Sequence, residues 1–323
     1  MRAILIDPAT DGPEALVLGE RPDPTPGPGQ VLIRVEAAGV NRPDVLQRRG
    51  LYAPPPGASD VPGLEVAGEI AAVGESVARW SVGDRVCALL PGGGYAELAV
   101  ADEGSCLPIP DVVDAVQAAG LPETVMTVFA NVFEAGGLKA GETLLVHGAT
   151  SGIGVTAIQM ARAAGARVIA TSRGADKAEA ARALGADVAI DASAEDWAEA
   201  VVAAGGADVA LDMVGAAYAA GHARALKPGG RWVVIATQAG ARAEIDLMQV
   251  MLKRLVLTGS TLRSRPVEEK ARLARAVEAT VWPWVIDGRV RPPIETVLPL
   301  DQAAEAHRRM EAGGHVGKIV LAV

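Results

Sequence analysis

Glycines at positions 148, 152 and 154 follow directly on the apolar run TLLVH (Thr143 to His147). An amphipathic stretch comes next, and a second apolar run ends at Ser172. A strand, a glycine turn, a helix and a second strand make a β-α-β unit whose turn exposes backbone N–H groups at a helix N-terminus. The helix dipole and the free donors there favour a pyrophosphate, and glycine lets the phosphates come close. A nicotinamide dinucleotide is the natural occupant. The spacing is G-x-x-x-G-x-G instead of G-x-G-x-x-G, so the strand before the turn and the helix after it carry the assignment. At the end of the second strand an acidic residue would accept from the ribose 2′-hydroxyl of NAD(H). This chain has Ser172 and Arg173 there, with Lys177 a turn later. A hydroxyl and two cations suit a 2′-phosphate, which favours NADPH.

These residues need a scaffold, and the chain supplies two kinds. From Met1 to about Leu121 it reads as short strands broken by Pro and Gly: VLIRVEAAGV, GLEVAGEIAAVG and VGDRVCALLPGGGYAELAV. After Pro122 helical stretches alternate with apolar strands at ARVIATS, ADVAID, ADVALDMV, GRWVVIA and RLVLTGST, the signature of a doubly wound parallel sheet. Gly205-Gly206 and Gly229-Gly230 read as turns leading into strands. Beyond about Arg265 a long helix, Pro-interrupted strands, a last helix and the strand GKIVLAV form a tail too small for its own core. The expected organisation is a β-rich catalytic domain over residues 1–121 and 265–323, interrupted by a dinucleotide-binding domain over 122–264. The reacting cleft is expected between the two, at the carboxyl ends of the parallel strands.

Composition narrows the class. A net charge of −9 with no basic run argues against a nucleic-acid partner. No apolar run approaches the roughly 18 residues of a membrane span, and MRAILI reads as a first strand and not as a signal peptide, so a cytoplasmic location is expected. The only cysteines, Cys87 and Cys106, lie in strand-like sequence and are expected in the core as thiols. His147, His222, His307 and His315 are scattered, none with a partner at metal-ligand spacing.

Across nearly its whole length the sequence resembles the medium-chain dehydrogenase/reductase superfamily, and within it the zinc-free quinone oxidoreductases. The likeness is carried by VNRPDVLQRRGLYAPPPGASDVPGLEVAGEI (Val40 to Ile70), LLPGGGYAELA, HGATSGIGVTAIQMARAAGA, STLRSRP and AHRRMEAGGHVGKIVL. It implies an α/β fold, a Rossmann-type doubly wound parallel sheet inserted into a discontinuous β-rich, GroES-like catalytic domain. Zinc-dependent relatives place a histidine ligand in a G-H-E stretch; here the stretch is Gly63-Leu64-Glu65, and two cysteines cannot build a four-thiolate site, so no metal is expected. Short-chain dehydrogenases share the ATSGIG turn but start with it and use a Tyr-x-x-x-Lys pair. Here Tyr52, Tyr95 and Tyr218 are followed four positions on by Pro56, Ala99 and His222, which excludes that reading.

For the cofactor, the resemblance implies roles for Asn41, Thr127, Ser151, Gly152 and Ile153. It adds Leu262, Arg263 and Lys318 from the C-terminal portion, with the two cations expected on the pyrophosphate or ribose. Ala236 and Thr237, after a parallel strand, are expected on the nicotinamide side. Relatives often carry a tyrosine or histidine near the adenosine where this chain has Ala192, which leaves the adenine contact open. The implied reaction is metal-free hydride transfer from NADPH to a small apolar quinone or α,β-unsaturated carbonyl. Tyr52, in RRGLYAPPP, leads as the polar group facing the acceptor or as an apolar lid over it, with Asn41 and Ser151 nearby by analogy and solvent as proton source. Asp44 is expected to orient the Asn41 loop, and Leu51, Trp282 or Trp284 to line an apolar cleft. The alternatives are an enoyl-thioester reductase and a weakly catalytic NADPH-binding sensor or structural protein. The apolar last strand RLVLTGST is expected at a sheet edge, covered by its own copy in a homodimer.

Overall fold

The computed structural model describes residues 1–323. The first stretch runs β1 (Arg2–Ile6), β2 (Leu16–Glu20), β3 (Gln30–Val40), α1 (Arg42–Arg48), β4 (Glu65–Val73), β5 (Arg85–Leu89), β6 (Leu98–Asp102), β7 (Cys106–Pro108), α2 (Ala115–Ala118) and α3 (Pro122–Val128). A π-helical turn, Phe129–Ala135, leads to β8 (Thr143–His147), α4 (Gly152–Ala163), β9 (Arg167–Ser172), α5 (Ala175–Ala183), β10 (Val188–Asp191), α6 (Trp197–Ala203), β11 (Ala207–Asp212), α7 (Ala219–Ala225), β12 (Leu226–Val234), α8 (Leu247–Lys253) and β13 (Val256–Gly259). The chain ends with α9 (Val267–Thr280), α10 (Trp282–Ile286), β14 (Ile294–Pro299), α11 (Ala303–Ala312) and β15 (Lys318–Ala322). No helix is long and apolar enough to cross a membrane. Two compact units result: Met1–Met126 with Leu262–Ile286 and Pro292–Val323, and Thr127–Thr261 with Asp287–Arg291.

In the first unit β14, β15, β3, β4, β5 and β7 form one sheet in that order, with β6 also paired to β3. Val31, Ile33 and Val35 alternate inward from β3 while Arg34 and Glu36 face out, the period of a half-buried strand. From Ala37 to Val40 both faces are buried and the residues turn small. A Cβ at Gly39 would lie 2.2 Å from Glu65 Oε1, so glycine there makes room for a buried carboxylate. β15 pairs antiparallel with β3, Ile319 opposite Val40, which sets Lys318 beside Asn41. Cys87 and Cys106 are fully buried, and burial pushes both thiols up.

The second unit holds a six-stranded, all-parallel sheet in the order β10-β9-β8-β11-β12-β13. The order reverses between β8 and β11, and ligands of such sheets bind beyond the carboxyl ends at that point. β8 is buried along its whole length, as a strand covered on both faces must be. Gly229-Gly230 lie inside β12, where pairing to β11 shifts register, and not in a turn ahead of the strand as the sequence suggested.

Candidate functional site

In the second unit the glycine turn is built for close approach. Gly148 adopts a φ of +64°, and a Cβ at Gly154 would lie 2.3 Å from the Gly148 carbonyl oxygen, so only glycine fits. Ser151 caps α4: its Oγ donates to the Gly148 carbonyl at 2.8 Å and accepts from the Gly154 amide at 3.0 Å. As the first two helical residues, Gly152 and Ile153 have amides that no turn of α4 can satisfy, which leaves them for an anion. At the end of β9 the Ser172 hydroxyl is buried and has no hydrogen-bond partner. Such a group costs free energy unless something else satisfies it. Arg173 beside it is exposed and Lys177 half-buried. The cradle and the orphaned hydroxyl fit a pyridine dinucleotide. Ala236 is half-buried and Thr237 exposed in the segment after β12, where the Gln238 and Ala239 amides are tied to the carbonyls of Met213 and Val214 after β11. Thr127 is buried, its carbonyl accepting from Asn131 Nδ2.

Two of the scattered histidines meet here. His147 and His222 face each other through their Nε2 atoms at 3.0 Å, both fully buried, with His147 Nδ1 2.7 Å from Thr171 Oγ1. The His222 ring stacks on Trp232, whose Nε1 donates to Asp212 Oδ2 at 2.9 Å. Asp212 Oδ1 in turn accepts from the Val214 and Gly215 amides. Burial holds both imidazoles neutral by depressing their pKa values. The pair braces the ends of β8, β9 and β11, on which the glycine turn rests. No sequence signal at a spacing of this length could have found it.

In the first unit Asn41 is the N-cap of α1, its amide donating to Asp44 Oδ2 at 2.8 Å. Asp44 also accepts from the Gly63 amide and the Tyr95 hydroxyl, so it orients the Asn41 corner as the sequence suggested. Burial pushes its carboxyl up to about 6. Arg48 donates to His307 Nδ1, which leaves the His307 proton on Nε2 facing the Tyr95 oxygen at 3.3 Å.

The Asn41 side chain is equally committed: Nδ2 donates to Glu65 Oε1 at 2.8 Å, and Oδ1 accepts from Lys318 Nζ at 2.7 Å. Lys318 completes its three donations to Glu65 Oε1 at 2.6 Å and to the Val40 carbonyl. All three of its donors are thus engaged beside the carboxylate, where the resemblance implies a partner on the pyrophosphate or ribose. Glu65 Oε2 accepts from the Glu123 amide, so this carboxylate is neutralised by a lysine and satisfied at both oxygens. Arg263 is engaged in the same way. Buried to 6 % exposure, it donates to the carbonyls of Pro91 and Tyr52 and to Gln47 Oε1, strapping the Tyr52 loop to α1. Its guanidinium lies 5.3 Å from the half-buried Tyr52 ring. Leu262 and Trp282 are buried, Trp282 donating to the Pro108 carbonyl, which makes it core and not cleft lining. Leu64 is buried as an apolar core residue, and nowhere do three or more His, Cys, Asp or Glu side chains converge as metal ligands.

Comparison with known proteins agrees with this geometry. Residues 27–111 match the alcohol dehydrogenase GroES-like domain and residues 152–279 the zinc-binding dehydrogenase domain. The quinone oxidoreductase of Rattus norvegicus is 33% identical over 318 residues, covering 96% of this chain and 94% of that one. The chain belongs to the quinone oxidoreductase branch of the medium-chain dehydrogenase/reductase superfamily. It is an NAD(P)-dependent oxidoreductase with the Rossmann and GroES-like halves of that superfamily. The solved quinone oxidoreductase of Thermus thermophilus, described together with its NADPH complex, superposes with a TM-score of 0.84 at 30% identity, covering 100% of both chains. A structure described as an NAD-dependent alcohol dehydrogenase superposes with a TM-score of 0.86 at 34% identity, again covering 100% of both.

Proposed function

We propose that this oxidoreductase takes NADPH and reduces quinones or conjugated carbonyls without a metal. The observation that carries the cofactor choice is the buried, unpartnered Ser172 hydroxyl beside Arg173 where an NADH enzyme would place an acid. Ser172, Arg173 and Lys177 hold the 2′-phosphate, the Gly152 and Ile153 amides the pyrophosphate, and Thr127, Ala236 and Thr237 the nicotinamide side. When bound, the reduced nicotinamide supplies hydride. Among the chain's own groups, Tyr52 is the donor to the acceptor oxygen, where charge develops. Burial raises its pKa, so it stays protonated at neutral pH. Asn41 and Ser151, whose polar atoms are already engaged, act by position: one holds the α1 corner, the other the glycine turn. The proton comes from solvent, and Cys87 and Cys106 remain thiols in a cytoplasmic setting.

The test follows NADPH and NADH oxidation against quinones, enals and enoyl thioesters, with Kd values for both cofactors. NADPH should bind more tightly, and Arg173→Ala with Lys177→Ala should narrow the gap about tenfold or more. A charge-assisted contact is worth about 1.5–3 kcal/mol when well formed and less on an exposed side chain. Equal Kd values in the unaltered protein refute the cofactor choice. Turnover of enoyl thioesters alone refutes the acceptor class, and no turnover with any acceptor would leave a binding protein.

Assembly as a homodimer through β13 belongs to the same reading. β13 is the edge of the parallel sheet, and Val256 and Leu257 are 50% and 51% exposed on it. On α8, Leu247, Met248, Met251 and Leu252 are all more than half exposed. An uncovered apolar edge invites its own copy about a two-fold axis. Light scattering should give a dimer at micromolar concentration, and Leu257→Glu a folded monomer. A monomeric parent, or a dimer that survives the substitution, rules this interface out.

A further inference from the structure

The second unit carries a ring stack that none of the assignments above uses. Trp197 of α6 and Tyr218, which follows β11, stack with centroids 4.8 Å apart and planes at 30°. Trp197 is 8% exposed while Tyr218 is only half-buried, so the tyrosine covers the tryptophan and keeps part of its own surface open. The stack has a cost the sequence accepts. Gly221 sits inside α7, where glycine is unfavourable, and a Cβ there would lie 2.3 Å from the Trp197 ring. The glycine is what lets the indole lie against the helix.

Its place in the fold is specific. Tyr218 comes after β11, past Gly215 at a φ of +84°, and its ring meets His147, the last residue of β8, edge-on at 4.9 Å. β8 and β11 are the two strands between which the sheet order reverses. The ring therefore stands at the switch point, against the residue that precedes the glycine turn. At the end of β10, Ala192 offers no ring of its own, and its amide is spent on the Ser172 carbonyl. Burial raises the Tyr218 pKa, and Arg173, at the end of β9, is the cation that acts against that rise.

We propose that the open surface of Tyr218, backed by Trp197, is the shelf on which the adenine ring of the cofactor stacks. A purine offers a flat π-face, a tyrosine held from behind loses little freedom on binding it, and Arg173 is placed to serve the attached ribose phosphate. This rests on the second unit binding a dinucleotide, and it is independent of the choice between NADPH and NADH.

The experiment is calorimetric titration with ADP, with NADPH and with reduced nicotinamide mononucleotide, which lacks adenine. Tyr218→Leu should weaken ADP and NADPH by the same factor, roughly 5- to 100-fold as for loss of one base stack, and leave the mononucleotide unchanged. Tyr218→Phe should bind all three like the parent. ADP affinity within twofold of the parent in the leucine variant overturns the shelf, as does an equal loss of the mononucleotide. Should the leucine variant fail to fold, Tyr218→Trp decides: the larger ring must bind ADP at least as tightly, and weaker binding overturns the proposal. A parent that binds neither ADP nor NADPH is a different failure, that of the dinucleotide assignment itself.

Discussion

Replacing Lys318 by methionine should cost about 3–5 kcal/mol of folding stability, because it leaves the Glu65 carboxylate fully buried without its cation. Glu65 would keep its bonds from the Asn41 side chain and the Glu123 amide, but neither carries a charge. The loss should show in urea unfolding as a lower midpoint at unchanged m. Adding Glu65→Gln to Lys318→Met should restore part of it, since the pair is coupled and the double variant no longer buries a charge. Additive losses, or a single-variant cost below about 1 kcal/mol, would mean that the pair is not the brace its 2.6 Å contact implies. Beside the apolar Leu64, the buried Glu65 carboxylate takes its counter-charge from Lys318 on β15.

Acid should destabilise the protein between pH 7.5 and pH 5 through its buried histidines. His147, His222 and His307 are buried and neutral, with native pKa values below the ordinary 6.5; burial takes His307 down to about 3. The unfolded chain takes up protons from about pH 6.5 downward that the native state refuses, so stability present above that pH is lost as pH falls toward the native values. At 1.36 kcal/mol per unit, each histidine costs about 2 kcal/mol between pH 7.5 and pH 5. Asp44 works in the opposite sense. Its native pKa is raised to about 6 from 3.8, so its contribution is full below the unfolded value and is lost as pH rises through about 6, which offsets part of one histidine. Unfolding free energies at the two pH values should therefore differ by several kcal/mol, with His307→Gln showing a shallower fall. A flat profile from pH 7.5 to pH 5 would contradict the buried neutral trio.

What the residues alone determined is what repeats locally. The strand, glycine turn and helix at 143–163, the buried Cys87 and Cys106, and the apolar strand at 256–259 all follow from period, turn chemistry or composition over a few neighbours. Arg263 and Lys318 show where such reasoning stops. The resemblance implies a pyrophosphate or ribose partner for each, and local pattern could not show the protein partners that both find across 172 to 278 residues of chain. Lys318 reaches Asn41 because Ile319 pairs with Val40 in an antiparallel register, and a slip of one residue would turn it to the opposite face. His147 and His222 are joined across 75 residues by the parallel order of β8, β9 and β11 and by the helix α7 packed on them. Local pattern sets which residues are buried. Register and strand order set which of them touch, and a buried polar group with a partner within reach takes it, because leaving it unpaired costs free energy.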